Sequence, residues 1–308
     1  MKKLSFYVTA LVAGVLASCS NVEDVQTSQN EMEDFVAVVA EGGTRTTLDG
    51  NAVKWDNKDA LAIFRKTGKG INTKYTLKSL TEDGKSATFK YAGEYSPKDY
   101  TPSLTLTQNY AVYPYSENIT MTAPGVVNVT IPAEQTYVAG TFDPAAAFMF
   151  AADTDTDLGF KNAQALLKVA LTKMPGDGDY SITSIKLSSE TGALNGAATI
   201  QMEDNAPKVT ISGEEGKELT LNCTNNGVTV SSLDANNPAV FYLVVTPGTY
   251  TNLKLTLTGN NNYSKELVLP SSYIIARNSI VTIQYTCGSD DFTGTIPGLD
   301  STGTNVNP

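Results

Sequence analysis

Leu253-Lys254-Leu255-Thr256-Leu257-Thr258 alternates leucine with lysine or threonine. In an extended chain successive side chains point to opposite faces, so the leucines share one face while Lys254, Thr256 and Thr258 share the other. A helix would scatter the same leucines around its circumference. The segment therefore predicts a strand with one buried and one solvated face. Similar short apolar or alternating runs recur on both sides, at 166–171, 182–187, 198–202, 219–221, 240–245, 267–269 and 280–285. Earlier in the chain they stand at 35–40, 87–91, 104–106 and 127–131. Turn chemistry separates them, as in Glu82-Asp83-Gly84 and Ala123-Pro124-Gly125. Neither a long amphipathic helix nor a tandem repeat interrupts the series. The chain reads as all-β, an antiparallel sandwich or barrel.

The polar break Asp153-Thr154-Asp155-Thr156-Asp157 divides the strands into two groups. The domains expected from it are an N-terminal sandwich over 34–152 and a C-terminal sandwich over 153–287. A polar acidic stretch, 19–33, precedes them and reads as a tether. The tail, 288–308, is rich in Gly, Thr, Asp and Asn and lacks the apolar content of a packed element.

Ahead of the tether, Lys2 and Lys3 form a basic start, 4–15 is apolar, and Leu16-Ala17-Ser18-Cys19 completes a lipobox. The apolar stretch is too short for a membrane span, so 1–18 is expected to be a signal peptide, with Cys19 carrying lipid after its removal.

Composition narrows the chemistry. A net charge of −10 and a pI near 4.6 leave no basic stripe to neutralise phosphates, which excludes nucleic-acid binding. The chain has no histidine, so Ser-His-Asp and Cys-His nucleophile systems are excluded, along with most zinc sites. No glycine-rich loop leads into a helix to hold a phosphate. Asp153, Asp155 and Asp157 imitate the opening of a calcium loop, but the sixth position is Leu158, the glycine arrives late at Gly159, and the twelfth position is Gln164. No enzyme activity, cofactor or metal is therefore expected. Cys223 and Cys287 are either a disulfide or two thiols behaving as small hydrophobes. Tyr110-Ala111-Val112-Tyr113-Pro114-Tyr115 offers rings that stack on sugars or pack within a sheet, and packing is the preferred reading.

Several motifs, taken in order, resemble the fimbrillin-like lipoproteins of the Bacteroidales, the type V pilus subunits and their relatives. They are Thr44-Arg45-Thr46-Thr47-Leu48, Trp55-Asp56-Asn57-Lys58-Asp59, Leu61-Ala62-Ile63-Phe64 and Tyr113-Pro114-Tyr115. Ile131-Pro132-Ala133-Glu134-Gln135-Thr136, Phe142-Asp143, and Phe160-Lys161-Asn162 leading to Leu166-Leu167-Lys168-Val169 continue the series. The resemblance implies two transthyretin-like antiparallel β-sandwich domains in tandem and export as a lipoprotein to the outer membrane. It also implies display in fimbriae, with other pilus subunits, the membrane lipid and a surface receptor as partners, and no catalysis.

In that family an arginine-specific protease often removes the N-terminal segment with its first strand, and a strand from another subunit fills the vacated groove. Arg45 followed by Thr46 is the matching position here. The strand it would release carries Phe35, Val36, Val38 and Val39, the candidate exchange segment. The tail offers Phe292, Ile296, Leu299 and Val306, and Leu299 breaks the even-numbered alternation of a donated strand, which suits a tip, accessory or anchor component. The competing function is a carbohydrate-binding outer-membrane lipoprotein that captures glycans through exposed tyrosines.

Overall fold

The computed structural model describes residues 32–40, 47–49, 52–96, 102–173, 180–213, 216–223, 227–230, 236–260, 263–269 and 271–286. In chain order the first elements are β1 (Phe35–Val39), β2 (Thr47–Asp49), β3 (Ala52–Lys54), β4 (Ala60–Phe64), β5 (Asn72–Leu80) and β6 (Ser86–Ser96). Next come β7 (Asn109–Tyr113), β8 (Thr120–Ala123), β9 (Val126–Ile131), β10 (Glu134–Thr136), a 3-10 turn at Pro144–Ala146, β11 (Met149–Asp153) and β12 (Asp157–Asn162). The remaining strands are β13 (Ala165–Lys173), β14 (Tyr180–Ser188), β15 (Gly196–Glu203), β16 (Ala206–Ile211), β17 (Glu218–Asn222) and β18 (Val228–Val230). β19 (Ala239–Val245), β20 (Gly248–Thr251), β21 (Lys254–Gly259), β22 (Ser264–Val268), β23 (Ser272–Ile275) and β24 (Ile280–Thr286) complete the chain. No helix among the described residues is long and apolar enough to cross a membrane.

Seven strands close into a barrel in the order β1-β12-β11-β7-β4-β5-β6, with β6 returning to β1. Closure removes the exposed edges that an open sheet of this length would carry. Period-2 geometry sorts the side chains of its walls. Leu61 and Ile63 of β4, Ala111 and Tyr113 of β7, and Met149 and Ala151 of β11 point inward, where Trp55 fills the centre. The alternate residues Ala62, Phe64, Tyr110, Val112 and Phe150 point outward, yet they too are buried. They meet Met121, Val127, Val129, Ala198 and Ile200 of a covering sheet ordered β16-β15-β9-β8. These three barrel strands are thus apolar on both faces.

The second core lies between a three-stranded sheet, β19-β13-β24, and a sheet running β10-β17-β14-β21-β22, with β18 also on β14. Leu255 and Leu257 are fully buried there, while Lys254 and Thr256 face outward. Two antiparallel pairs, the β2-β3 hairpin and β20-β23, complete the pairing.

Three observations depart from the sequence expectations. The pairs β1/β12, β10/β17 and β13/β24 are parallel rather than antiparallel. Their members lie far apart in the chain, so no tight turn dictates their direction. The Asp153 to Asp157 break, expected between domains, is the turn of the β11–β12 hairpin, with Met149 opposite Asn162 and both strands in the barrel. The halves are also interlocked, because β9 pairs with β15 and β10 with β17. Finally, 104–106 is not a strand: Leu104 makes a backbone bond to the Lys69 carbonyl, and Leu106 packs against the outer wall of the barrel.

Candidate functional site

β1 is the strand through which the barrel closes. On one edge it runs parallel to β12, Val36 beside Asp157 and Val39 beside Phe160; on the other it runs antiparallel to β6, Phe35 opposite Phe89 and Val38 opposite Ser86. The Val36 and Ala40 amides donate to the Thr156 and Phe160 carbonyls at 2.9 Å, and the Val39 amide donates to the Lys85 carbonyl at 3.2 Å. Phe35 and Ala37 are fully buried, and Val39 packs against the same interior cluster. The Phe35 ring meets Tyr75 edge-on, centroids 5.2 Å apart at 88°. Val36 is half-buried and Val38 is 40% exposed, both on the outer face. Of the four residues predicted for exchange, Phe35 and Val39 therefore face the barrel, joined by Ala37. Ala37 escaped selection because it is small, although strict alternation from Phe35 points to it.

The remaining motifs hold the barrel together. Trp55 stands edge-on to Phe89, Tyr113 and Phe160 at centroid distances of 5.3–5.6 Å. The Tyr113 hydroxyl donates to Asp59 Oδ1 at 2.9 Å, and the Asp56 amide donates to Asp59 Oδ2 at 2.7 Å. Burial holds the Tyr113 hydroxyl far above the ordinary phenol range, and the Asp59 charge beside it adds to the effect. Tyr110 and Tyr113 are both buried, while the half-buried Tyr115 lies under the Lys74 ammonium, 5.2 Å from its ring centroid. Packing, not display, is the role of both, because Tyr113 points into the barrel and the covering sheet buries Tyr110 on the outer face of β7.

Gln135 does the work of a strand. Its Nε2 donates to the Val244 carbonyl at 2.8 Å while its Oε1 accepts from the Val244 amide at 2.9 Å, and the whole group is buried. It thereby occupies the open edge of β19 as a neighbouring backbone would. Replacing Gln135 with leucine strands both Val244 groups, and the expected loss is about 1–3 kcal/mol per orphaned group in chemical denaturation. Asp143, from the Phe142-Asp143 motif, accepts from the amides of Thr136 and Ala145.

Asp153 accepts from the Thr154 amide, and Asp155 accepts from the Asp157 amide, as expected of a hairpin turn. Among the described residues no group of three or more His, Cys, Asp or Glu is placed to hold a metal. Cys223 is a free, half-buried thiol, and burial pushes it up to about 11. Cys19, Arg45, Thr46, Cys287 and the tail lie outside the described residues.

No family model matches this chain, and no curated protein does either. Solved structures do resemble it. A provisionally assigned cell adhesion protein of Bacteroides uniformis is 17% identical, with 85% of this chain and 97% of that chain covered and a TM-score of 0.48. Another from Bacteroides ovatus is 12% identical over 78% of this chain and 87% of its own, with a TM-score of 0.49. A fimbrial protein of Bacteroides vulgatus is 13% identical over 79% of this chain and 92% of its own, with a TM-score of 0.41. This chain is similar to these cell adhesion and fimbrial proteins over most of its length.

Proposed function

We propose that this chain is a surface fimbrial component, a subunit of the fibre or an accessory adhesin at its tip or base. On this reading it reaches the outer membrane as a lipoprotein through Cys19 and joins its neighbours by strand exchange at β1. The observation that carries the proposal is the place of β1, which closes a barrel on both edges while Phe35 and Ala37 fill its interior. Loss of that strand leaves an apolar groove flanked by two unpaired strand edges, a template for strand addition. Arg45 lies between β1 and β2, so cleavage before Thr46 separates the strand from the body.

The groove also says what sequence fits it. Its inward positions want a large ring, a small residue and a β-branched residue at spacings of two, as Phe35, Ala37 and Val39 supply. Phe292-Thr293-Gly294-Thr295-Ile296 in the tail repeats that order of sizes, with threonines at the outward positions. Leu299 falls beyond these five residues, so its break in alternation does not count against them. Two large apolar side chains re-entering the groove contribute about 3–6 kcal/mol before ordering costs. The barrel with its covering sheet and the second sandwich are our candidates for the two transthyretin-like halves, with the chain crossing between them more than once.

Treatment of the full chain with an arginine-specific protease tests the proposal. The expected products are a body beginning at Thr46 and strand-linked oligomers, with Arg45→Ala blocking both. A surface form that keeps residues 19–45 joined to the body overturns it.

A further inference from the structure

The larger sheet of the second sandwich packs one face on the core and turns the other to water. On that outer face Ser188, Lys254 and Val268 stand in one row across β14, β21 and β22. Just past the row the chain enters two connections, one carrying Glu190 and the other Asn252. Together these side chains line an open hollow of about 390 Å³. Ligand sites begin at about 300 Å³, so the hollow suits a single ring-sized group.

The two connections are tied to each other. The Glu190 amide donates to the Thr251 carbonyl at 3.1 Å, and the Thr191 and Thr251 hydroxyls share a hydrogen bond at 2.7 Å. The Lys217 ammonium donates to the Glu190 carbonyl at 2.6 Å. Asn252 sits at φ 49°, in the left-handed region that asparagine tolerates better than most residues, and its side-chain amide donates to the Glu190 carboxylate. Glu266 holds the Lys254 ammonium at 3.1 Å. Val268 is 56% exposed, an aliphatic side chain that fills no core.

The polar groups around this space are of opposite kinds. A carboxylate only accepts hydrogen bonds, and an ammonium only donates them. Glu190 and Lys254 share the hollow without pairing, since Glu190 takes Asn252 and Lys254 takes Glu266. A ligand between them must donate on one side and accept on the other. A hydroxyl does both, and a ring of adjacent hydroxyls repeats the pattern. Among the described residues Glu190 Oε1, Asn252 Oδ1 and Ser188 Oγ make no other hydrogen bond, which leaves them for such a ligand. One ammonium beside two carboxylates disfavours an anion, and no third acid completes a metal site among the described residues.

We propose that this hollow is a recognition site for a neutral sugar unit at the end of a glycan. Its hydroxyls bridge Glu190, Asn252 and Lys254, while the C–H face of the ring rests on Val268. Glycan capture thereby moves from Tyr110 and Tyr113, which pack, to the outer face of the second sandwich. The site shares no residue with β1 and stands apart from strand exchange.

Saturation-transfer NMR of the full chain with the methyl glycosides of glucose, galactose, mannose, N-acetylglucosamine and N-acetylgalactosamine tests the proposal. The expected result is transfer to at least one of them, with the same Kd at low and high salt because the ligand carries no charge. Asn252→Gly keeps the left-handed backbone and removes the amide, and Glu190→Gln trades an acceptor for a donor. Each is expected to weaken binding about tenfold or more. Val268→Ser is expected to weaken it about threefold, and strand circular dichroism checks that every variant is folded. No transfer to any glycoside overturns the proposal. Binding that survives all three substitutions places the sugar elsewhere and overturns it as well, and binding that falls with salt overturns the neutral ligand.

Discussion

Phe35→Ala is expected to lower the unfolding free energy by about 3–5 kcal/mol, the usual cost of deleting a buried aromatic ring. The ring has no exposure, meets Tyr75 edge-on, and sits in the same interior cluster as Trp55, Phe89 and Phe160, so the space it leaves is walled by other rings that cannot collapse into it without leaving their own contacts. For a chain of this size the change amounts to a fall in Tm on the order of 10 °C. Val38→Ala, one strand face away and 40% exposed, is expected to cost less than about 0.5 kcal/mol. Urea unfolding followed by the fluorescence of Trp55, the single tryptophan, reads both variants. Equal losses at the two positions would contradict the inward-outward assignment of β1.

Stability is expected to hold through neutral pH and to collapse above about pH 10. Burial pushes Tyr75 and Tyr273 up to about 12, and it drives Tyr113 and Tyr250 further in the same direction, Asp59 adding to the effect at Tyr113. Cys223 moves the same way, up to about 11. The unfolded chain gives up these protons near the ordinary values, whereas the folded chain keeps them. Between the two the unfolded state binds fewer protons, so stability present below about pH 10 is lost as pH rises toward the folded values. Each such tyrosine removes about 1.4 kcal/mol per pH unit, and Tyr113 with Tyr250 together remove about 5 kcal/mol over two units. That rivals the whole stability of a typical domain, about 5–15 kcal/mol. The absorbance rise from these four buried tyrosines is therefore expected to coincide with the loss of strand circular dichroism. Gradual titration of all the tyrosines with the strands intact would show that their hydroxyls reach water in the folded state.

The strands that alternate cleanly were legible in the sequence. Leu253 to Thr258 lies on β21, with Leu255 and Leu257 buried as its pattern requires. β4, β7 and β11 were harder, because a strand covered on both faces shows an apolar run with no period to say which residue points where. Asp153 to Asp157 misled for a chemical reason: the residues that solvate a linker are also those that turn a hairpin, and only pairing partners separate the two. Trp55-Asp56-Asn57-Lys58-Asp59 was recognisable as a motif, but its meaning lies 54 residues away, in the Tyr113 hydroxyl that Asp59 receives. Parallel neighbours such as β1 and β12 leave no local trace at all.

That last pairing has a consequence for how the molecule is made. β1 is the first of the described strands to be synthesised, yet its partner at Asp157–Asn162 follows more than a hundred positions later, so the barrel cannot shut until more than half the chain exists. Contacts of such long range slow folding and leave strand edges open to the wrong neighbour in the meantime. Until β12 follows, β1 has a strand neighbour on the β6 edge only, and any extended segment of the right shape competes for the other. The order of synthesis thus exposes every newborn copy, briefly and without a protease, to the same choice of strands that cleavage is proposed to offer the finished one.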